Sequence, residues 1–477
     1  MTDETYLIKT APQFDVHKWS DYAEVNLVVE AIFNEIKVLR NSNGIRVRKA
    51  PKLKKHLKVV VIDLWAAAKL ALNPYRAISK NKSDYSHGSR YRQIFLSHTY
   101  FVGVINDLRD LGYIVEKIGG RFASGGFRTR VKATSKLIDK ILSPDYGINR
   151  IVSSQGGIAF ISRTNEIESE SIILRDSDSV NIDYEDTPTV IQMRDCLKKI
   201  NTKIAETRIT LDITDDQYHA LIEQLSSERN PRATIDFTKN QMYRVFNNSS
   251  FEDGGRFYGG WWELIPKEYR KYIEIDRKPI VELDYSGHHI RMLYAKKDIL
   301  PPDEPYDLAE FDREDQKLAV LIMINASNEK VAISAMRKKG IRNAKEIVEA
   351  LKIRHSAIKN YFFTGIGNHL MYEDSVLAEK VMLLMLERGT TVLPVHDSFI
   401  VRNSYSDELE EMMDKAFQEM FDTPAKLKPK KTVLQEIEEG RVLNEGMIDF
   451  VSDDLEELLS GRLDNNKWYM SVWGFWP

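Results

Sequence analysis

Two short acidic motifs in this 477-residue chain could do chemistry together. In the first, the apolar run Ile280-Val281-Glu282-Leu283 delivers Asp284, followed by Tyr285-Ser286. In the second, Thr391-Val392-Leu393-Pro394-Val395 ends in His396-Asp397-Ser398 and resumes as Phe399-Ile400-Val401. Carboxylates at strand ends or hairpin tips are what a two-metal site needs. Mg2+, or Mn2+ in its place, takes oxygen ligands, keeps waters, and bridges nucleotide phosphates to an attacking hydroxyl. Either motif is weak by itself, because most strand-end Asp residues merely cap turns. Between them lies the segment 313–325, with Arg313 and Lys317 at i,i+4 and with Leu321 and Asn325 continuing the stripe. On a helix the two cations share a face, and a forked guanidinium beside a point-charge ammonium suits a triphosphate. The alternative is a solvated amphipathic helix in which each cation has an acidic partner.

The elements that must hold these residues follow from the pattern. Segments 280–286 and 391–401 read as strands, the second a hairpin with His396-Asp397 at its turn, while 288–294 and 313–325 read as helices. Upstream, 25–39 is helical in period, 46–58 reads as an exposed basic loop, and 59–65 is a short apolar run leading into an Ala-rich helix. Helical spacing over 91–111 stops at Gly112, and two strands around a glycine turn follow, with Arg121, Arg128, Arg130 and Lys132 on the second part of that hairpin. Helix followed by basic hairpin is the outline of a nucleic-acid-binding winged helix, and equally of a solvated hairpin on any α+β domain. Segments 171–175, 189–202 and 215–224 read as a short strand and two helices, and 176–186 as a connector. The predicted organisation is therefore a basic N-terminal nucleic-acid-binding domain (1–140), a connector or thumb-like region (141–245), a catalytic body (246–425) and an acidic C-terminal segment with an aromatic tail (426–477).

Composition narrows the class. With 43% hydrophobic and 29% charged residues, only 15 Pro and 24 Gly, the chain is globular, neither collagenous nor wholly disordered. A single cysteine, Cys196, allows no intramolecular disulfide and no Cys-based zinc site; a reducing, cytoplasmic setting is expected, with no membrane partner, since no apolar stretch approaches a spanning length. The net charge of -3 argues against a polyanion partner until it is localised. Residues 35–58 carry net +8, residues 76–136 net +8 and residues 436–464 net -8, so a basic front and an acidic back cancel.

Taken together, Asp284-Tyr285-Ser286, then Arg-x3-Lys-x3-Leu-x3-Asn-Ala from Arg313, then Val-His-Asp-Ser resemble motifs A, B and C of the family A DNA polymerases and the phage-type single-subunit RNA polymerases. Gly254-Gly255-Arg256-Phe257, with Ile265-Pro266 and Arg270, resembles the signature preceding motif A. The likeness covers about residues 241–421. It implies a mixed α/β (α+β) right hand with an antiparallel palm sheet, short helical fingers, and template-directed extension of a DNA primer from nucleoside triphosphates. Asp284 and Asp397 would hold two Mg2+ ions, Lys317 would act catalytically, contacting the α- or γ-phosphate side and assisting the pyrophosphate leaving group, and Arg313 would hold the triphosphate tail. Tyr285, His289, Leu321 and Asn325 would border the nucleotide, Arg256 the terminal base pair, and His396 the primer end. Departures leave the sugar open. His289 stands where the DNA polymerases have a Glu that blocks the 2'-hydroxyl, Asn325-Ala326 replaces Tyr-Gly, and Ser398 follows Asp397 as in the RNA polymerases. RNA as product or primer, an RNA polymerase or primase, and a non-catalytic DNA-binding replication-initiation protein remain alternatives. Only 113 residues separate Asp284 from Asp397, so the fingers would be abbreviated. No acidic cluster suggests proofreading. Phe257, Tyr258, Trp261 and Trp262 read as core or as base-stacking groups, His355 and His369 as lone histidines, and Lys426, Lys428, Lys430 and Lys431 as a phosphate-tracking loop or an exposed one.

Overall fold

Apolar residues at helical spacing build the first part of the chain. Val25, Val28, Val29, Ile32, Phe33 and Ile36 bury one face of α1 (Ala23–Ser42). They pack against α2 (Ala50–Leu70) and α3 (His98–Asp110) over a three-stranded antiparallel sheet of order β1-β3-β2, where β1 is Arg76–Ile78, β2 Ile114–Lys117 and β3 Thr129–Ala133. The structure, a computed structural model, describes residues 3–428 apart from 21, 71–72, 86–89, 92–95, 123–124, 147–161, 164–169 and 226–234. The acidic C-terminal segment with its aromatic tail, and Lys430 and Lys431, lie outside the described residues.

Two expectations for this part are corrected. Residues 50–58 are not an exposed loop but the first half of α2, and Lys58 is buried with Nζ donating to Asn26 Oδ1 at 2.9 Å. The lysine-rich face disguised a helix whose other face, Leu53, Leu57 and Val60, is apolar. The predicted helix and hairpin are present, with the strands Gly120–Phe122 and Gly125–Phe127 pairing between β2 and β3. Arg130, however, is no surface wing residue. It is buried, and its Nε donates to Ile8 O at 2.8 Å and its guanidinium to Arg128 O at 2.7 Å. Arg128 is exposed and reaches Gln13 Oε1 at 2.9 Å, while Lys132 lies over the Tyr75 ring. The side chain of Arg121 is outside the described residues.

The second core begins earlier than residue 246. β4 (Ile172–Leu174) pairs in parallel with β6 (Asn240–Phe246), which pairs with β7 (Gly254–Gly260). α4 (Pro188–Glu206) starts where Thr187 Oγ1 accepts from Val190 N and proline occupies the first turn, and it buries Val190, Met193, Leu197, Ile200 and Ile204. β5 (Ile209–Leu211) is followed by α5 (Asp215–Leu225). The region predicted as a connector thus supplies strands and core to the body.

A five-stranded sheet of order β10-β11-β9-β8-β5, antiparallel at every pairing, is the centre of that body. Its further members are β8 (Ile273–Ile275), β9 (Lys278–Asp284), β10 (Leu393–Val395) and β11 (Ser398–Arg402). Helices α6 (His288–Ala295), α7 (Arg313–Asn325), α8 (Glu329–Lys338), α9 (Ala344–Arg354), α10 (Gly367–Glu387) and α11 (Ser406–Phe421) pack around it. The architecture is mixed α/β of the α+β kind. None of the described helices is long and apolar enough to cross a membrane.

Among the described residues, contacts at Phe237 and Lys18 help to join the cores. Phe237 packs against both, meeting Trp261 edge-on at 4.8 Å. Lys18, 2% exposed, places Nζ 2.9 Å from Asp63 Oδ1 in α2 and 3.0 Å from Asp236 Oδ2 beside the body.

Candidate active site

Strand alternation and a tight turn bring the two acidic motifs together. β9 and β11 pair so that Asp284 faces Ser398 across the ladder, and Val395 pairs with Ser398 across the hairpin, which leaves His396-Asp397 as its two-residue tip. His396 takes φ +56°, the left-handed conformation that matches such a turn to strand twist. Asp397 is therefore one residue from the partner of Asp284, and its charge helps to raise the Asp284 pKa, after burial and against the pull of Lys428.

A clamp behind the pair fixes the two strands. Arg270 forks onto Glu282, Nε to Oε2 and Nη2 to Oε1, both at 2.8 Å, and Ser398 Oγ donates to Glu282 Oε1 at 2.7 Å. Burial pushes the Glu282 pKa up, but Arg270 and Ser398 outweigh it and hold the carboxylate below its ordinary value. Ser398, which the likeness to RNA polymerases singled out, is a strap between β9 and β11.

The wall beside Asp397 is a buried polar chain. Asp374 on α10, 2% exposed, accepts from Arg256 Nε and Nη2 through Oδ2 at 3.2 and 3.1 Å, and its Oδ1 lies 3.1 Å from His288 Nε2. Next to it Arg244, 1% exposed, donates to Gly255 O, Ser375 Oγ and Glu379 Oε2, each at 2.8 Å. Gly255 has φ +76°, and a Cβ there would sit 2.7 Å from both Phe246 Cε1 and Ser375 Oγ, so only glycine lets β7 lie this close to α10. Arg256 consequently enters from a fixed backbone. His289 is half-buried; burial first, then the neighbouring His288, lower its pKa to about 4, so at neutral pH it is an uncharged polar group near Asp374, Arg256 and Asp397. Burial and Arg256 also lower His396, against Asp397.

α7 opens at Asp312, whose Oδ1 accepts from Glu314 N and Asp315 N, and buried Gln316 ties the preceding loop through Leu308 and Phe311. Its outer stripe is the predicted one. Arg313, Leu321 and Asn325 are exposed, and Lys317, half-exposed, pairs with Glu314. Tyr306 lies under this helix, with the Arg313 guanidinium carbon 5.8 Å from its ring centroid. Burial raises its pKa to about 12, and it responds to the charges of both Arg313 and Asp397.

Several predicted residues fall elsewhere. Tyr285 is corrected from the nucleotide edge to the core. Its ring is 3% exposed, stacks on His288 at 4.8 Å, and donates from its hydroxyl to Met413 O at 2.8 Å, because strand alternation turns it to the face opposite Asp284. Phe257, Trp261 and Trp262 are buried, and Trp262 Nε1 donates to Pro394 O at 3.0 Å. His355 is enclosed between Tyr294 and Pro305 O, and His369 lies near Glu373. Asp374 lies in segment 361–386, which the resemblance reads as the helix before motif C that touches template or primer backbone; its role here is to hold Arg256 and His288. Arg244 and Glu282 carried no sequence signal beyond lying in or near the motifs; a buried charge at a strand position was the available hint.

Among the described residues no group of three or more His, Cys, Asp or Glu side chains forms a preformed metal cage. A Mg2+ site built on one or two carboxylates plus phosphates and water does not need one. Asp284 fits that chemistry, since its Oδ1 is buried with no hydrogen-bond partner while Oδ2 meets Lys428. What the fold and site define is a paired-carboxylate centre on an antiparallel sheet, flanked by Arg256 and Lys428. No family model matches the chain, and no curated protein matches it.

Proposed function

We propose that the protein is a template-directed nucleotidyltransferase, extending a primer on a DNA template from nucleoside triphosphates. The observation that carries this reading is the meeting of Asp284 and Asp397 at one end of the central sheet, with the Asp284 Oδ1 atom buried and unsatisfied. In this reading the sheet is the palm, α7 to α9 are abbreviated fingers, and the helix and hairpin of the N-terminal part are a winged helix that holds duplex.

Asp284 and Asp397 would hold the two Mg2+ ions, which when bound lower the pKa of the primer 3'-hydroxyl and neutralise charge on the departing pyrophosphate. Arg313 and Lys317, turned outward on one stripe, bind the triphosphate tail; Lys317 exchanges Glu314 for phosphate oxygens. Arg256, held by Asp374, lies against the terminal base pair, and Leu321 offers an apolar surface to the incoming base. His289, neutral at pH 7, meets the sugar at its 2' position. A neutral imidazole can accept from or donate to a ribose hydroxyl, which favours ribonucleotides as a second reading; bulk at the same place favours deoxynucleotides.

Primer extension tests this directly. A labelled primer-template with dNTPs, then NTPs, then template without primer separates DNA polymerase, RNA polymerase and primase. Duplex binding with no Mg2+- or Mn2+-dependent extension under any of the three conditions would replace this reading by a non-catalytic DNA-binding role.

A further inference from the structure

The chain returns to the carboxylate pair after α11. Ala425 N donates to Asp414 Oδ1 at 2.8 Å, Ser286 N donates to Lys426 O at 2.7 Å, Leu427 bridges Tyr285, and Lys428 N donates to Asp284 O at 2.9 Å. Residues 425–428 are thus bonded in register along the end of β9. Lys426 Nζ is anchored to Asp303 O at 3.1 Å on the far side. This register delivers the Lys428 side chain beside Asp284, where its ammonium pairs with Oδ2.

We infer that Lys428 is an affinity-setting residue of the metal site: its ammonium is the resident counter-ion of Asp284, and a divalent cation binds in competition with it. The inference rests on the assignment of Asp284 as a metal ligand. An ammonium on Oδ2 and a divalent cation entering at the unpartnered Oδ1 compete for the charge of one carboxylate, and two carboxylates this close repel each other unless a cation sits between or beside them. Lys428 meets both needs. It keeps the Asp284–Asp397 pair assembled before loading, and its side chain, 49% exposed, can turn out to solvent when a metal arrives. The backbone bonds of 425–428 do not involve the ammonium, so the strap stays in place when the side chain leaves.

The test is Mn2+ binding to the full chain without nucleotide, read by the electron paramagnetic resonance signal of unbound Mn2+. Lys428→Ala and Lys428→Gln should bind Mn2+ about fivefold more tightly than wild type, the scale of one partly exposed ion pair. Lys428→Arg should stay near wild type, and Asp284→Asn should lose the site. Unchanged or weaker Mn2+ binding in both Lys428→Ala and Lys428→Gln, with Asp284→Asn still losing it, overturns the role of Lys428 and leaves the metal site standing. Wild-type Mn2+ binding in both Asp284→Asn and Asp397→Asn overturns the metal site and this inference together. Circular dichroism of each variant confirms folding; the Lys428 substitutions touch a half-exposed side chain.

Discussion

Asp374→Asn is the most informative single perturbation, because one buried carboxylate holds two groups of the site. The substitution keeps the shape of the side chain and removes its charge. Arg256 then loses a partner it reaches with two N–H groups, and His288 loses an acceptor. Removing one member of a buried ion pair costs about 3–5 kcal/mol, and Arg256, 23% exposed at its side chain, can recruit water, so the lower figure, about 3 kcal/mol, is expected. With an m-value of about 3 kcal/mol/M the urea midpoint falls by about 1 M at pH 7. The pH dependence has a definite sign. Burial raises the Asp374 pKa, but the hydrogen bond and charge of His288 and the charge of Arg256 outweigh it, leaving the group well below the usual carboxylate range. A folded pKa below the unfolded one stabilises the protein above about pH 4 and loses that contribution as pH falls toward the folded value. The gap between wild type and Asp374→Asn should therefore be widest near neutrality and narrow below about pH 4. Urea melts at pH 7, 5 and 3.5 measure it. A gap under about 0.5 kcal/mol at pH 7, the scale of an ordinary surface change, would refute the account of the buried chain. Mn2+ binding should be unaffected and primer-duplex affinity weakened, since Arg256 is no longer held.

Other outcomes follow from single features. Asp397→Asn should abolish primer extension while duplex binding in a gel-shift assay stays near wild type; full extension would remove the catalytic assignment. Gly255→Ala should lower thermal stability by about 2 kcal/mol or more, from the Cβ contacts with Phe246 and Ser375 and the left-handed φ. His355, fully buried with its pKa lowered to about 4 chiefly by burial, should make stability fall as pH drops from about 6.5 to 4, by on the order of 3 kcal/mol at the most, and His355→Gln should flatten that limb in urea melts. Arg130→Ala should lower the melting temperature, whereas Arg128→Ala should leave it unchanged and reduce DNA binding in low salt; the reverse pattern would return Arg130 to the nucleic-acid surface.

The carboxylate pair was legible because each half announced itself locally. An apolar run ending in Asp284 and a hairpin with His396-Asp397 at its tip need only strand alternation and turn geometry to be placed. The outward stripe of α7 was legible for the same reason, since helical period alone fixes which residues share a face. Tyr285 was misjudged because adjacency to Asp284 suggested the same role, while the period of two sends neighbours to opposite faces. The first half of α2 was hidden by Lys52, Lys54 and Lys55, which decorate a helix rather than break it. Arg130 and Arg244 show the harder limit. Nothing local distinguishes an arginine that binds a polyanion from one that donates to buried carbonyls; the difference lies in segments far away, Ile8 in one case and α10 in the other. Lys428, 144 positions from Asp284, belongs to that class too.

The Lys18 contact bears on how the two halves melt and mature. Lys18, Asp15 and Asp63 are synthesised well before Asp236, so the N-terminal core can close these ion pairs early and then present the ammonium to the body as it emerges. Cutting the chain ahead of Asp236 would strand a carboxylate in the body and withdraw the Phe237 packing from the N-terminal core. Calorimetry of the intact protein should accordingly show one endotherm with matching calorimetric and van't Hoff enthalpies, and Lys18→Met should split it in two. The N-terminal half would then act on the folding of the body, supplying Lys18 as a counter-charge to Asp236.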